Sequence, residues 1–357
     1  MEKNQESIII DSIAVNKIIT KIGLNRVMDD LIAELEEAIK NYNKEETEVP
    51  IRSGFNYKKP FLGLVEWMPI MKKGEEVLIK VVGYHPENPD IFKLPTILST
   101  ISSYDAHTGH LNYLVDGVLL TALRTGASSA VASKLMAKPN SKTLGIIGCG
   151  AQSITQIHAI CRLFPIEEIL IYDIDQSCMN SIADRIAPIN LGISPKASHI
   201  SEIMELSDII CTATSIAPEK GPLFSEFKSK PHLHINAVGA DFPGKFELPK
   251  SLLEKAFVCP DFLDQAVIEG ECQQLNKSDI GSSWDELIHD EDLKKNYQSG
   301  ISVFDSTGWA LEDQVVARLF ANYAEDLNLG TKMNIESFSS DEKNPYGTIH
   351  QLINVSE

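Results

Sequence analysis

The sequence predicts an α/β protein built on a parallel sheet, with a β-rich region before the sheet and a long helix after it. Between residues 142 and about 304, short apolar runs alternate with stretches that suit helices. Such alternation is typical of parallel strands joined by crossover helices. The predicted strands are TLGIIG, EILIYD, DIICTAT, HLHINAVG, AFVCPD and ISVFDS.

The region before the sheet has two parts. Residues 9–46 carry apolar side chains at helical spacing and predict a helix. Residues 60–121 contain FLGLVEWMPI, EEVLIKVVGY, PTILSTISSYD and HLNYLVDG, which are β-branched or aromatic runs broken by Gly, Pro and Asp. These runs predict strands, so the region is expected to be α+β and rich in strands.

Two further helices frame the parallel sheet. LLTALRTGASSAVASKLMA predicts the helix that leads into it, and WALEDQVVARLFANYAEDLNL predicts a final amphipathic helix that packs back on the first region. The chain is therefore predicted to form a discontinuous α+β domain from residues 1–126 with 309–357, and a parallel-sheet domain from residues 127–308. The polar tail that begins at Ser339 is predicted to be a loop.

The most specific motif is Lys142–Gln152, KTLGIIGCGAQ, in which a strand, a glycine turn and a helix follow one another. Gly148 permits the tight turn, and Gly150 lets the backbone approach a pyrophosphate at the positive end of the helix. The next predicted strand ends on Asp173, where a carboxylate accepts hydrogen bonds from ribose hydroxyls and repels a 2′-phosphate. This order predicts a Rossmann-type domain that binds NAD rather than NADP. Ser153 replaces the third glycine of the pattern, which weakens the match, and the alternative is a glycine turn that binds nothing.

Composition argues against several classes of partner. The chain of 357 residues has a formal net charge of −18, whereas nucleic acids and anionic membranes bind basic surfaces. No apolar run approaches the roughly 20 residues of a membrane helix, and the acidic start MEKNQESIIIDS is unlike a secretory signal. The six cysteines are scattered singly and the nine histidines lack metal-ligand spacing, so we expect a cytoplasmic protein without disulfide bonds or a metal site.

Asp241 is the strongest candidate for a functional residue outside the glycine turn. It follows the apolar strand HLHINAVG, and ligands of open α/β sheets bind just beyond the carboxyl ends of the strands. The alternative is an aspartate in a glycine-rich turn. Arg52, Glu66, Lys80 and Arg124 lie in or beside apolar runs of the first region. Cations that face inward there would attract an anionic ligand, although each one taken alone is predicted to face solvent.

Several long segments follow one another in a distinctive order between about Arg52 and Tyr346. They are LVEWMP, VLIKVVGYHPENP, LPTILST, LLTALRTGA, IGCGAQS, CTATS, INAVGADFPGK.EL, EGECQQL and VFDSTG.A.ED. In this order they resemble the ornithine cyclodeaminase/μ-crystallin family over nearly the full length of the chain. Within that family the segments look closest to lysine cyclodeaminases, and the ornithine enzymes are next.

The resemblance implies a role for each residue that matches a family motif. Asp241 is implied to be the catalytic aspartate, and Glu66 the acid beside the amino end of the substrate. Arg52, Lys80 and Arg124 are implied to hold the substrate α-carboxylate, and Lys80 is also counted with the catalytic residues. The cofactor contacts expected from the glycine motif and the resemblance together are Thr96, Arg124, Gly148, Gly150, Ala151, Gln152, Asp173, Thr214, Asn236, Ala237, Val238, Gly239, Lys245 and Ser306.

The resemblance also implies an activity, an NAD-dependent cyclodeaminase that converts a basic L-amino acid into a cyclic imino acid and ammonia. It favours L-lysine to L-pipecolate over L-ornithine to L-proline, with a hydride that leaves to NAD⁺ and returns within one turnover. NAD(P)H-dependent reductases of cyclic imines and non-catalytic binding proteins share the family, so both remain alternatives. The implied fold adds a β-rich domain that binds substrate and dimerises through its sheet, so we expect a homodimer.

Overall fold

The computed structural model describes residues 6–339, 341–347 and 349, and its strands form two sheets. The strands are β1 (Ser7–Ile10), β2 (Thr47–Glu48), β3 (Ser53–Tyr57), β4 (Gly63–Lys72), β5 (Glu76–Tyr84), β6 (Ile97–Asp105), β7 (Leu111–Asp116), β8 (Thr143–Ile147), β9 (Glu168–Tyr172), β10 (Lys196–Ala197), β11 (Ile209–Thr212), β12 (His234–Ala237), β13 (Phe257–Pro260), β14 (Ser302–Asp305) and β15 (Thr331–Met333). The α-helices are α1 (Ser12–Ile22), α2 (Leu24–Lys40), α3 (Asn88–Ile91), α4 (Gly117–Met136), α5 (Ala151–Leu163), α6 (Gln176–Ile186), α7 (Ile200–Leu206), α8 (Lys250–Leu253), α9 (Leu263–Glu269), α10 (Trp284–Leu287), α11 (Glu291–Ser299) and α12 (Ala310–Asp326). Short 3₁₀ turns occupy Ala187–Ile189, Glu271–Gln274 and Lys277–Asp279.

The predicted parallel sheet is confirmed. Its strands run in the order β10-β9-β8-β11-β12-β14-β13, and every pairing is parallel. The six runs predicted as strands form β8, β9, β11, β12, β13 and β14. Strands β11, β12 and β14 are buried at every position, as expected where helices cover both faces of a sheet. The chain order reverses direction between β8 and β11, which creates the crevice where such sheets bind ligands.

The other sheet is mixed. Its order is β15-β1-β7-β6-β5-β4-β2, and β3 also pairs with β4. Strands β4 to β7 pair antiparallel with one another, whereas β1 is parallel to β7 and antiparallel to β15. The chain therefore returns to its first sheet after it leaves the parallel one.

Two helices connect the sheets. The predicted helix α4 packs against β6 of the mixed sheet and against β12 and β14 of the parallel sheet. The predicted final helix α12 packs against α4 and against β4 and β5, so it does pack back on the first region. The domain boundaries at 126/127 and 308/309 remain a prediction, and α4 runs through the first of them.

The single helix predicted for residues 9–46 is wrong. The segment begins with strand β1 and continues as two helices, α1 and α2. Gly23 separates them with φ of +92°, a conformation that side chains rarely adopt, and its N–H caps α1 at the Ile19 carbonyl. The loop predicted from Ser339 lies partly outside the described residues. Among the described helices, none combines the length and apolar character that crossing a membrane requires.

Candidate active site at the carboxyl edge of the parallel sheet

The glycine loop that follows β8 has the shape that its sequence predicts. Gly148 has φ of +97°, and a Cβ there would stand 2.6 Å from the Ala213 carbonyl oxygen. Gly150 is the N-cap of α5 and provides no side-chain cap. Apart from its own stretch of chain, no described atom lies within 4 Å of where a Gly150 Cβ would stand. The free N-terminus of α5 and the open space beside Gly150 suit an anionic group, since helix N-termini attract phosphates.

Asp173 and Arg185 hold the glycine loop from two sides. Asp173 follows β9 and accepts hydrogen bonds from the N–H groups of Cys149 (2.6 Å) and Asp175 (2.8 Å). Arg185 on α6 donates to the carbonyl oxygens of Cys149 (2.7 Å) and Gly150 (3.2 Å). The Asp173 carboxylate therefore stands at the end of the second strand, beside the loop. Sequence reasoning missed Arg185, which sits in an ordinary amphipathic helix with no motif around it.

The other expected cofactor contacts meet at the same edge of the sheet. Thr214 follows β11, Val238 and Gly239 follow β12, and Ser306 follows β14. The Ser306 hydroxyl is buried without a hydrogen-bond partner among the described residues, so it is available to a ligand. Ala151 and Gln152 begin α5 beside Gly150.

Asn236 and Ala237 differ from the rest of this set. Both lie inside β12 and are fully buried. The Asn236 side chain donates to the Ser133 hydroxyl of α4 at 2.9 Å. It therefore faces the core that joins β12 to α4, and its contact with a ligand would have to come through its neighbours.

Lys80 and Arg124 form a buried ionic cluster with two acids of α12. The Lys80 ammonium lies 2.7 Å from Asp313, and Arg124 lies 2.6 Å from Glu312 and 3.2 Å from Asp313. Lys80 is 1% exposed and both acids are 0% exposed. Burial, together with the nearby Arg124 charge, lowers the pKa of Lys80 to about 8, although Asp313 opposes the shift. The prediction that these cations individually face solvent is therefore wrong, because each has a carboxylate partner that offsets the cost of burial.

Arg52 lies between two carboxylates. Its guanidinium is 2.7 Å from Glu269 and 3.9 Å from Glu66, and it also donates to the Thr307 carbonyl. Burial raises the pKa of Glu66, an effect that the Arg52 charge opposes and the Asp241 charge reinforces. Burial likewise raises the pKa of Glu269 to about 7, again opposed by Arg52 and reinforced by Glu66 and Asp241. Glu66 and Glu269 thus share one guanidinium, and the charge of Asp241 acts on both of these acids.

Asp241 lies in the loop after β12 and forms an ion pair with Lys245 at 2.7 Å. Its side chain is 43% exposed, whereas that of Lys245 is 8% exposed. The Lys245 ammonium also lies 5.9 Å from the centre of the Tyr84 ring at the end of β5. Thr96 belongs to the same end of the mixed sheet, because its carbonyl accepts the N–H of His85, the next residue after β5.

The turn after β14 connects the two cation groups. Gly308 has φ of +91°, and a Cβ there would stand 2.8 Å from an Arg124 nitrogen. The buried carboxylate of Asp261 fixes this turn by accepting the Gly308 N–H at 2.6 Å and the Thr307 hydroxyl at 3.0 Å. Only glycine at position 308 leaves room for Arg124, while the neighbouring Thr307 carbonyl holds Arg52.

The structure therefore gathers the residues that the resemblance assigns to the substrate at the carboxyl edge of the parallel sheet, the edge that also carries the glycine loop. Sequence reasoning missed the acids that pair with the cations, namely Glu269, Glu312 and Asp313. These acids occur in the segments EGECQQL and VFDSTG.A.ED, but nothing in the sequence indicates which cations they pair with. Nowhere in the described residues do three His, Cys, Asp or Glu side chains come together as a metal-binding group.

We expect the free energy of unfolding to rise as the pH falls from about 7 to about 5. Burial raises the pKa of Glu269 from 4.5 to about 7 and that of Asp305 from 3.8 to about 6. In this range the folded chain binds protons that the unfolded chain does not, so lowering the pH favours the folded state.

Burial lowers the pKa of His158 to about 4 and that of His234 to about 3, so these two groups oppose the trend below about pH 6.5. The raised pKa values of Glu312, about 7, and Asp261, about 6, add to the trend and leave the acids in the majority. The stability that acids with lowered pKa values contribute, such as that of Asp208, is lost only below their ordinary value of 3.8.

Urea unfolding between about pH 5 and 8 tests this expectation. Glu269→Gln is the matched variant, since it removes one of the groups with raised pKa and should flatten the dependence on pH. Stability that stays constant or rises between about pH 5 and 7 would contradict the assigned pKa shifts.

Comparison with known proteins gives consistent matches. The model of the ornithine cyclodeaminase/mu-crystallin family matches residues 14–328. The L-lysine cyclodeaminase of Streptomyces rapamycinicus is 40% identical over 333 residues, which cover 93% of this chain and 96% of the relative.

Three solved structures are also similar. A structure concerned with recognition of L-lysine, L-ornithine and L-2,4-diaminobutyric acid by lysine cyclodeaminase has a TM-score of 0.92 and 42% identity, and covers 96% of this chain and 99% of its own. An archaeal alanine dehydrogenase dimer with bound NAD has a TM-score of 0.79 and 30% identity, and the match covers 93% of this chain and 100% of the dehydrogenase chain. The third structure is the Δ¹-pyrroline-2-carboxylate reductase of Thermococcus litoralis in complex with NADH and L-proline. It has a TM-score of 0.80 and 28% identity, and the match covers 91% of this chain and 100% of the reductase chain.

Proposed function

Because the chain belongs to the ornithine cyclodeaminase/mu-crystallin family, we propose that it is an NAD-dependent cyclodeaminase. Its preferred reaction is L-lysine to L-pipecolate and ammonia, with L-ornithine to L-proline as the lesser activity. The observation that carries the proposal is the set of buried cations with two acids, Glu66 and Glu269, that share the Arg52 guanidinium. The charge of Asp241 acts on both acids, and Asp241 follows β12 at the same edge of the sheet as the glycine loop. A diamino acid has one carboxylate and two ammonium groups, and this site has partners for all three. The 40% identity to an L-lysine cyclodeaminase supports the same choice.

The residues at the sheet edge fit NAD. Gly150 leaves space for a pyrophosphate at the start of α5, and the Ser306 hydroxyl lacks a partner among the described residues. The Asp173 carboxylate beside the glycine loop would accept from the ribose diol. When bound, NAD⁺ supplies a hydride acceptor that later returns the same hydride. NAD bound to the archaeal alanine dehydrogenase relative supports this cofactor.

The substrate carboxylate is held by Lys80 and Arg124 together with Arg52. Burial raises the pKa of Glu312, although Arg124 opposes the shift. When the substrate carboxylate binds, its charge favours protonation of Glu312, so that Lys80 and Arg124 then face Asp313 and one substrate anion. Such a clamp fixes the orientation of Cα, and positioning of this kind lowers the barrier by about 7–11 kcal/mol at best.

Asp241 receives a proton from the substrate α-ammonium at a carboxylate oxygen, because only the neutral amine can support loss of hydride from Cα. Lys245 holds the Asp241 carboxylate at 2.7 Å and keeps it oriented. Glu66 orients the distal ammonium, which must also lose a proton before its nitrogen attacks Cα. Glu66 and Arg52 are largely buried, and their shielded surroundings limit hydrolysis of the iminium that forms at Cα.

A reductase of cyclic imines is the second candidate. The likeness to the Thermococcus litoralis reductase supports it, since the folds agree over 91% of this chain. The two activities share the carboxylate clamp and the dinucleotide edge. The presence of both Asp241 and Glu66 favours deamination, because a diamino acid has two ammonium groups that must lose protons and a cyclic imine has a single nitrogen.

Product identification distinguishes these candidates. The pure protein is incubated with L-lysine or L-ornithine and a trace of NAD⁺, and in parallel with cyclic imine and NADH. The proposal expects pipecolate from lysine by mass spectrometry, faster than proline from ornithine. Turnover of the imine alone, with no product from either diamino acid, would assign the reductase function instead.

We expect NAD⁺ to bind more tightly than NADP⁺, because the Asp173 carboxylate accepts from the ribose diol and repels a 2′-phosphate. Asp173→Ser should narrow the ratio of the two dissociation constants, measured by fluorescence titration. Asp175→Ser is the matched control, since it removes the same charge two residues away at the N-cap of α6. Equal affinity of the unmodified protein for both cofactors would reject this role of Asp173.

A homodimer is proposed through the mixed sheet. Phe55, Val81 and Leu98 are 68%, 38% and 39% exposed. Phe55 and Leu98 lie in one row across the sheet, since Phe55 is opposite Val65, Val65 is opposite Gly83, and Gly83 is opposite Leu98. Val81 precedes Gly83 by two residues on the same strand, so Phe55, Val81 and Leu98 point to the same face of the sheet. Exposed apolar side chains on one face of a sheet suit contact with a second copy, and the dimeric alanine dehydrogenase relative supports this arrangement.

A further inference from the structure

Glu247 is a fully buried acid at the ligand-binding edge of the parallel sheet, outside every group of residues discussed so far. One carboxylate oxygen accepts the N–H and the hydroxyl of Thr214, at 2.7 and 2.6 Å. The other accepts the Thr212 hydroxyl at 2.6 Å and the Gly239 N–H at 3.0 Å. One side chain therefore ties the end of β11 to the end of β12.

These contacts reach the dinucleotide loop. The Thr214 methyl group lies 3.0 Å from where a Gly148 Cβ would stand, so Thr214 packs directly against the turn after β8. A Cβ on Gly239 would collide with the Glu247 carboxylate, which explains why glycine is required there. Glu247 thus determines how the ends of three neighbouring strands, β8, β11 and β12, are spaced.

The backbone of Glu247 is also held on both sides. The Glu247 backbone N–H donates to the Glu271 carboxylate at 2.6 Å, and the Glu247 carbonyl accepts the Leu223 N–H at 2.8 Å. All four groups that contact the carboxylate donate hydrogen bonds, so the site needs an acceptor at both oxygens. Glutamine has the same shape but would point an NH₂ group at one pair of these donors.

We propose that Glu247 is a positioning residue for the dinucleotide, which it serves by holding Thr214 and Gly239 against the glycine loop. The proposal rests on the proposed dependence on NAD. Glu247 does not contact the reacting atoms. Its loss should therefore weaken cofactor binding and leave the affinity for the amino acid intact.

The test is the dissociation constant of NAD⁺ for Glu247→Gln, by titration of the purified full chain without substrate. Loss of charge-assisted hydrogen bonds and the new donor–donor contact should raise it by about tenfold or more. The KM for the amino acid at saturating NAD⁺ should change little. A dissociation constant within about twofold of the unmodified protein would overturn the proposal, whereas an unmodified protein that binds no NAD⁺ would reject the NAD dependence itself.

Asp208→Asn is the matched control. Asp208 is also buried and accepts the N–H groups of Lys142 (2.8 Å) and Thr143 (3.0 Å), but at the opposite end of β8. It should lower the melting temperature without changing the NAD⁺ dissociation constant. An equal loss of NAD⁺ affinity in Asp208→Asn would reduce the Glu247 effect to general destabilisation and overturn the proposal.

Thr212→Val provides the same measurement if Glu247→Gln does not fold. It removes one donor to the Glu247 carboxylate and leaves Thr214 and Gly239 in place. The proposal expects a smaller rise in the NAD⁺ dissociation constant, in the same direction and again without an effect on the amino acid. An unchanged dissociation constant in a folded Thr212→Val would contradict it.

Discussion

Asp241→Asn is expected to lower kcat by about 10²–10⁴-fold, the usual contribution of a general base. Asparagine keeps the shape of the side chain but cannot take the proton of the α-ammonium, and hydride does not leave a protonated centre. NAD⁺ affinity should survive, since the glycine loop at Gly148 is held separately by Asp173 and Arg185. Steady-state kinetics and NAD⁺ titration measure the two effects.

The control is Asp264→Asn, which removes a charge from an exposed position in the first turn of α9. It should behave like the unmodified protein. A kcat near the unmodified value for Asp241→Asn would reject the assigned role, and with it the main reason to prefer a deaminase over a reductase.

Arg124→Met is expected to lower the free energy of unfolding by about 3–5 kcal/mol, because it leaves a buried charge uncompensated. Glu312 and Asp313 are fully buried, and Arg124 is a partner of both. Methionine fills similar space without the charge. The same change removes a cation of the carboxylate clamp, so the KM for the amino acid should rise as well. Urea unfolding and kinetics measure these effects.

The double variant Arg124→Met/Glu312→Gln separates the two effects. Removing the charge of Glu312 together with that of Arg124 should restore part of the lost stability, since the surviving pair is Lys80 with Asp313. The raised KM should persist. A double variant that recovers substrate affinity along with stability would argue that Arg124 is structural only.

The parallel sheet was predictable because its strands are continuous apolar runs. Strands that helices cover on both faces are mostly apolar, so TLGIIG and EILIYD differ clearly from the polar stretches around them. Helices α4 and α12 were predictable for a related reason, since each is long enough to show a helical period.

The ends of the mixed sheet were not predictable from local pattern. Strands β2 and β15 have two and three residues. Strand β1 pairs with β7, about 100 residues later, and with β15, more than 300 residues later. Such strands exist because distant segments supply their partners, so their own residues carry little signal. Gly23 was a visible break, but the apolar spacing on either side of it hid the division into α1 and α2.

The candidate site was predictable where the position of a residue relative to a strand or turn explains why that residue type is needed. Gly148 and Gly150 follow a strand, and Asp173 ends the next one, so their roles follow from local order. Pairs such as Lys80 with Asp313 join positions 233 residues apart. No local pattern encodes such a pair, and only the packing of α12 against β5 brings it together.

Retention of a deuterium label tests the cyclodeaminase proposal most directly. L-lysine labelled at Cα is incubated with the protein and far less NAD⁺ than substrate, and the product is analysed by mass spectrometry while absorbance follows NADH. The account predicts pipecolate that keeps the deuterium at Cα, one ammonia for each lysine consumed, and no accumulation of NADH. Product without the label, or NADH that accumulates one for one with product, would contradict it.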